Sequence, residues 1–291
     1  MTKCLQVVGK RFNSCSTKFT PVIEQYKTLR HIHFPGRTKF EDGLKIQQAM
    51  VNANIDFKKI SNKIIRSQKD IASKGYRLTE YEDGLLAKIM EMKPLPTVLT
   101  FEFENVYAGG KQMKQDPQLD EKIEDYRKMG CEYHQLERGG QVTWHGEGQL
   151  VAYTILDLKQ FKNLTPKCFV DSVLLKSVQN LLKKNYGLSS YLNENPGVWM
   201  SESNHKISSI GCNIQHAITS FGIALNVNPD LKYLNTYTMC GLPEAEATSI
   251  SRISPESKPD VKEVGNQYAK ELAQLLNITT VEHMSGEDLK L

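Results

Sequence analysis

An α+β fold built on a mixed, largely antiparallel sheet with flanking helices is what this 291-residue sequence predicts. Strand-like runs and amphipathic stretches intermix without the regular strand–helix–strand period of a doubly wound sheet. Residues 97–103 alternate and residues 149–158 are β-rich, whereas 169–185 and 261–276 carry apolar stripes at helical spacing. The composition, 40% hydrophobic and 24% charged, is that of a globular chain able to bury one large core.

Along the chain, His31 to Phe34 reads as a short strand with His31 and His33 on one face. Residues 41–57 place Leu44, Ile46, Met50 and Ala53 on a helical stripe. Residues 58–93 are rich in Lys, Arg and Glu with intermittent apolar positions, which predicts a charged helical insertion or arm. Pro94 and Pro96 punctuate it, and a strand over 97–103 leads to the Gly109-Gly110 turn. A short helix over 122–128 ends at Gly130 and precedes strand-like 131–136. The run 149–158 follows a glycine-rich loop directly, and the helix of 169–185 is closed by Gly187. Strands are expected over 197–200, 207–214 and 221–227. The last helix, 261–276, carries Val264, Tyr268, Leu272 and Leu275 on one face.

The formal charge of +4 would suggest a nucleic-acid partner if it were spread over the chain. It is not: Lys3, Lys10, Arg11 and Lys18 supply all of it within a first stretch of twenty residues that holds no acid. The remainder is neutral overall, which argues against a phosphate-tracking surface. The same stretch has Leu5, Val8 and Phe12 at helical spacing, the hydroxyl residues Ser14, Ser16, Thr17 and Thr20, and no carboxylate before Glu24. This is the build of a cleavable mitochondrial transit peptide over 1–20 ahead of a folded body over 21–291; a disordered basic tail without an address is the other reading. No run of about eighteen apolar residues occurs, so no bilayer-spanning helix is expected. The six cysteines, at 4, 15, 131, 168, 212 and 240, show neither CxxC nor paired spacing. Reduced thiols are expected, with Cys4 and Cys15 lost on processing. Neither a metal nor a cofactor is predicted.

Three stretches read as chemistry. Arg138-Gly139-Gly140-Gln141-Val142-Thr143-Trp144-His145-Gly146 is a glycine-rich segment whose backbone can approach a ligand or a developing oxyanion. Lys206, in Lys206-Ile207-Ser208-Ser209-Ile210-Gly211, and Cys240, in Cys240-Gly241-Leu242, offer an amine and a thiol. Taken singly, each has a plain structural reading. A lone cysteine is usually a small buried hydrophobe, a lone lysine a solvated surface group, a Gly-Gly pair a tight hairpin, and His145 an ordinary hydrogen-bonding partner. Met239-Cys240-Gly241 stands between a polar stretch and Pro243, a loop-like context in which a core cysteine is less expected.

Together with Pro196-Gly197-Val198-Trp199 and Gly222-Ile223-Ala224-Leu225-Asn226-Val227-Asn228, these segments stand in the order of the signatures of the lipoyl(octanoyl) transferases, which the chain resembles over roughly residues 30–255. The resemblance implies a fold shared with the biotin and lipoate protein ligase catalytic domains. It also implies a reaction in which octanoyl passes from octanoyl-acyl carrier protein to a lysine of lipoyl domains or of the glycine cleavage H protein, in the mitochondrial matrix. Cys240 would be the nucleophile and form a thioester acyl-enzyme. Lys206 would supply the cation that favours its thiolate and then accept the proton of the attacking amine. Arg138 to His145, Ser209-Ile210-Gly211 and Gly222-Ile223-Ala224 would line the substrate, with Trp144, Ile210 and Ile223 as apolar walls.

Three positions depart from the family's pattern: Glu147 stands where proline is usual, Phe221 where histidine is usual, and Phe103-Glu104-Asn105 where a His-x-Pro element is usual. Glu147 is expected to bring a carboxylate near His145. Two other classes remain open, an ATP-dependent lipoate or biotin ligase and a non-catalytic binder of acyl carrier protein or lipoyl domains. A papain-like hydrolase using Cys240 and His145 lacks the local signature. Acidic partners could be guided by Lys159, Lys162, Lys167, Lys183 and Lys184, or these lysines could simply solvate a helix face.

Overall fold

A computed structural model of the chain describes residue 15, residues 18–237 and residues 245–289. In chain order the strands are β1 (Thr20–Pro21), β2 (Thr28–Thr38), β3 (Thr97–Phe103), β4 (Val106–Gly109), β5 (Glu132–Gln135), β6 (Val142–His145), β7 (Gln149–Ile155), β8 (Phe161–Lys162), β9 (Ser190–Tyr191), β10 (Val198–Met200), β11 (Lys206–Gln215), β12 (Ile218–Asn226) and β13 (Thr280–Ser285). The α-helices are α1 (Phe40–Ser73), α2 (Glu80–Glu91), α3 (Leu119–Lys128), the single turn α4 (Pro166–Cys168), α5 (Leu175–Tyr186), the short α6 (Ile250–Ile253) and α7 (Val261–Leu275).

Eight strands form the central sheet in the order β13-β2-β3-β7-β12-β11-β10-β9. The pairs β13–β2 and β2–β3 are parallel, and every pair from β3 onward is antiparallel. The sheet is therefore mixed and mostly antiparallel, within an α+β fold. A separate three-stranded sheet, β5-β4-β6, takes up half of the glycine-rich segment as strand.

Alternation along the strands sorts side chains between the two faces. Leu99, Phe101 and Phe103 of β3 join Val151, Tyr153 and Ile155 of β7 under Phe40 and Val51 of α1. Val98, Leu150, Ala152, Ile223 and Leu225 point the other way, against Val178, Leu181 and Leu182 of α5 and Val264, Tyr268 and Leu272 of α7. Each Val, Leu, Ile or Phe side chain among them, fully buried, contributes about 1.5–3 kcal/mol. Helix α5 grows out of α4 through a π-helical stretch, Phe169–Leu174, and stops at Gly187, whose φ of 68° ends the helix in the left-handed region.

Residues 40–73 form one helix where the sequence suggested a break near residue 57, because tertiary contacts hold the charged half in line. The Lys58 ammonium donates to the carboxylate of Asp157 (3.0 Å) and to the carbonyl of His216 (2.7 Å). Asp157 is buried and also faces Lys93 at 3.7 Å. A buried carboxylate needs such partners, so this cluster clamps the helix to the body.

Two expectations about the N-terminal region need correction. Cys15 is disulfide-bonded to Cys168, with Cα atoms 5.7 Å apart and a sequence separation of 153. Spacing could not reveal a pair brought together by the packing of the N-terminal segment on α4. Cys131 and Cys212 carry free thiols, while Cys4 and Cys240 lie outside the described residues. The body also begins before residue 21: Phe19 is buried in the core beneath α5, its carbonyl accepts from the side chain of Asn277, and β1 pairs with β8. Phe19→Ala is expected to lower stability by about 3–5 kcal/mol in denaturant unfolding. A chain starting at residue 21 should lose at least as much, and unchanged stability in both would place the folded boundary at 20 instead.

Candidate active site

Strands β11 and β12 run antiparallel with Ser209 opposite Ala224, Ile210 opposite Ile223 and Gly211 opposite Gly222. Their small residues leave a trough along the sheet. Over it lies the 138–145 segment, and beside it stand Val151 and Tyr153 of β7; together with Leu136, Asn195, Pro196, Phe221 and Tyr237 they enclose a cavity of about 380 Å³.

The glycine-rich segment is anchored by backbone and by charge. The carbonyls of Arg138, Gly140 and Gln141 accept from the amides of Lys111, Gln112 and Gly110. Arg138 itself is buried, and its guanidinium donates to the carbonyls of Gly139 (3.0 Å), Gln141 (3.0 Å) and Ala108 (2.7 Å). Burial holds its pKa below the ordinary range. Its aliphatic stem fills the space that a side chain at Gly211 would take, since a Cβ there would be 2.7 Å from Arg138 Cδ. Gly211 thus makes room for the arginine stem, and both residues border the cavity.

Lys206 opens β11 and is only 6% exposed. Its backbone is bonded on both sides, the amide to the carbonyl of Glu246 (2.8 Å) and the carbonyl to the amide of Thr248 (2.9 Å). The ammonium lies 5.6 Å from the centroid of the Trp199 ring, a cation–π contact that suits a sparsely hydrated amine. Its stem crosses Gly197, where a Cβ would come within 2.5 Å of Lys206 Cε. The Pro196-Gly197-Val198-Trp199 segment therefore serves to seat this lysine.

A chain of amides fixes the tautomer of His145. Asn226 donates from Nδ2 to the carbonyl of Thr248 (2.9 Å), so its Oδ1 accepts from Gln149 Nε2 (2.9 Å). Gln149 Oε1 then accepts from His145 Nδ1–H (2.8 Å), which leaves Nε2 as the acceptor edge of a neutral imidazole. Burial, with the nearby Arg138 charge, pushes the His145 pKa down to about 4 although the bond to Gln149 opposes the shift.

Of the residues expected at a substrate site, Arg138, Gly140, Gln141, Val142, Thr143, His145, Lys206, Ser209, Ile210, Gly211, Gly222, Ile223 and Ala224 border this cavity. Gly139 and Trp144 do not. The Trp144 indole stacks on Tyr233 at 5.2 Å with the rings parallel within 1°, in a separate cluster with Tyr107 and Tyr126, so it is not an apolar wall. Cys240 falls outside the described residues. Tyr237, three residues before it, borders the cavity, and Glu246, six residues after it, is bonded to Lys206.

The family follows from likeness to known proteins. Residues 74–273 match the family described as the lipoyl protein ligase A/B catalytic domain. A mitochondrial octanoyltransferase from Kluyveromyces lactis is 41% identical over 93% of this chain and 87% of its own length. Another from Saccharomyces cerevisiae is 37% identical over all of this chain and 98% of its own. The chain belongs to this family, as an octanoyltransferase-type acyltransferase. Its fold is shared with a bipartite lipoate protein ligase, solved with its E2 lipoyl domain, from Thermoplasma acidophilum, at a TM-score of 0.52 and 11% identity over 89% of this chain and 85% of that one. A lipoate-protein ligase A bound with ATP aligns at a TM-score of 0.52 and 15% identity over 66% of this chain and 76% of that one.

Within the octanoyltransferase frame the three departures take on definite surroundings. Glu147 is turned to solvent and pairs with Arg37 at 3.1 Å, so the carboxylate expected beside His145 is absent from it. Phe103 is fully buried and packs edge-on against Phe40, with His145 beyond. Phe221 borders the cavity and meets the Tyr153 ring edge-on at 5.6 Å. Of the lysines considered for guiding acidic partners, Lys184 is engaged by Glu271 (2.7 Å) and Gln274. Strand parity could have found Val151 and Tyr153, which share a face; Leu136 and Tyr237 come from remote segments without such a signal.

Because the folded-state pKa of His145 lies below its unfolded value near 6.5, the unfolded chain takes up a proton that the native state refuses. The associated stability is complete above about pH 6.5 and is lost as pH falls toward 4, by up to about 1.4 kcal/mol per pH unit. Thermal unfolding followed across that window should show a shallower fall for His145→Gln than for the parent chain.

Proposed function

We propose that this enzyme transfers an octanoyl group from octanoyl-acyl carrier protein to a specific lysine of lipoyl domains, the glycine cleavage H protein included, through a thioester on Cys240, in the mitochondrial matrix. The observation that carries the reading is a buried lysine, Lys206, at an apolar cavity of medium-chain size, with the residues flanking the Cys240 segment at the same place. The names of the Kluyveromyces and Saccharomyces relatives support octanoyl as the group moved and the mitochondrion as the compartment. The basic N-terminal stretch would be the address, removed upstream of Phe19 because that residue belongs to the core.

In the first half-reaction Lys206 accepts the Cys240 proton, and the thiolate attacks the thioester carbonyl of the carrier-bound acyl group. Collapse of the tetrahedral intermediate breaks the bond to the carrier sulfur. The carrier thiolate leaves with the proton held by Lys206. In the second half-reaction the acceptor lysine, as its amine, attacks the Cys240 thioester, gives a proton to Lys206 and leaves as an amide, while the cysteine departs as thiolate and is reprotonated. Neither half needs ATP or a metal to balance. His145 Nε2 would accept a hydrogen bond from the substrate side, its tautomer held by Gln149.

Intact-mass spectrometry after mixing with octanoyl carrier protein tests this directly. The parent chain should gain one octanoyl mass without ATP and lose it on addition of a lipoyl domain. Cys240→Ala should gain none, and Lys206→Ala should acylate more slowly by a factor of about 100 or more, with a steeper dependence on pH. Transfer from free octanoate that requires ATP would overturn the proposal in favour of a ligase; binding of the carrier with no mass gain would overturn it in favour of a non-catalytic binder.

A further inference from the structure

The residues proposed to carry the chemistry do not explain why the cavity ends where it does. Phe221 does. Along β12, Ile223 and Leu225 project into the core beneath α5 and α7, so strict alternation would send Phe221 to that same face. Instead it packs with the α1-side cluster, meets Tyr153 edge-on and borders the cavity. Its φ of 59° is the cause: this is the left-handed region, uncommon for a bulky residue, and it turns the side chain to the opposite face.

Such a conformation persists only where the surroundings impose it. Here the amide of Phe221 donates to the side-chain oxygen of Gln47, a buried residue of α1, while the strand on one side pairs Phe221 with Cys212 and on the other places Gly222 against Tyr153. The cavity floor between β11 and β12 thus runs from Ser209 and Ala224 past the Ile210–Ile223 pair to Gly211, beside the Arg138 stem, and Gly222, and then meets one aromatic ring. Lys206 lies on β11 six residues before Cys212, so about 20 Å of strand separates its backbone from the level of Phe221, a span shortened by the two side chains that reach the same cavity. The ring borders the cavity toward the end of the β11–β12 pair remote from the lysine.

We propose that Phe221, turned into the cavity and held there by Gln47, is the residue that limits the acyl chain to medium length. This rests on the acyl-transfer reading given above. The support comes from α1, which lies ahead of the residues matched by the family's catalytic domain, so the length stop would be set from outside that domain.

The test uses the full chain with carrier-bound hexanoyl, octanoyl, dodecanoyl and myristoyl groups, and, without turnover, calorimetric binding of the matching acyl-pantetheine thioethers. The parent chain should favour octanoyl. Phe221→Gly, which also suits the backbone conformation at that position, should raise the dodecanoyl-to-octanoyl ratio of kcat/KM by about tenfold or more while Cys240 acylation persists. Gln47→Leu, which keeps the ring but removes its restraint, should move the ratio in the same direction by less. Thermal unfolding of both variants confirms that they fold. An unchanged chain-length profile in Phe221→Gly overturns the inference, whether read by turnover or by binding. Absence of acylation in the parent chain would instead overturn the transfer reading, with the thioether preference still deciding the role of Phe221.

Discussion

Strand β12 is hydrogen-bonded along both edges, to β7 on one side and β11 on the other, and the geometry of the cavity hangs on that double ladder. It sets Ser209, Gly211, Gly222 and Ala224 opposite one another as the floor, brings Val151 and Tyr153 alongside, and puts Lys206 at the far end of β11. A strand paired on both edges has little freedom to slip, because a one-residue shift would send its core side chains to the wrong face. The left-handed turn at Phe221 departs from that regularity, and it is tolerated where Gln47 of α1 engages the amide there.

The polar groups around this apolar space are each fixed in place by their neighbours. Arg138 spends its donors on three carbonyls and so rivets the glycine-rich segment to β4. His145 is kept neutral by burial and directed by the Gln149–Asn226–Thr248 chain. Lys206 rests against an aromatic face with its backbone tied to the 246–248 strand segment. In a low-dielectric setting each of these interactions is stronger than it would be in water, and each must be made at the correct place for the site to be worth its burial. Preorganised donors and acceptors of this kind are what a reaction passing through a charged tetrahedral intermediate requires.

Outside this centre the chain adds parts that fasten rather than react. Helix α1 runs about 50 Å, starts beside Phe103 and His145, and is clamped further along by Lys58 on the buried Asp157. The N-terminal segment is fixed by Phe19, by β1 and by the Cys15–Cys168 bond. All of these precede residue 74, where the match to the family's catalytic domain begins.

Much was legible before any coordinates. Strand β3 is legible at its observed limits, and β7, β10, β11, β12 and α7 to within a few residues, while the helix expected over 169–185 covers both the π-helical stretch and α5, because period-2 and period-3.6 patterns report directly on which face is buried. The signatures around Arg138, Lys206 and Gly222 marked segments that the fold does bring to one cavity. Short strands such as β4, β6 and β13 escaped, since four to six residues carry too little pattern once partners are remote. Trp144, assigned as a wall, faces away because strand alternation and the parallel ring of Tyr233 place it in another cluster. Local periodicities, the fold class and the chemical inventory are written in the order of residues, because those depend on neighbours in the chain. Only the tertiary structure decided that Cys15 meets Cys168, that Gly211 yields its space to Arg138, and that Phe221 turns into the cavity on a bond from α1, because each depends on contacts between segments many tens of residues apart.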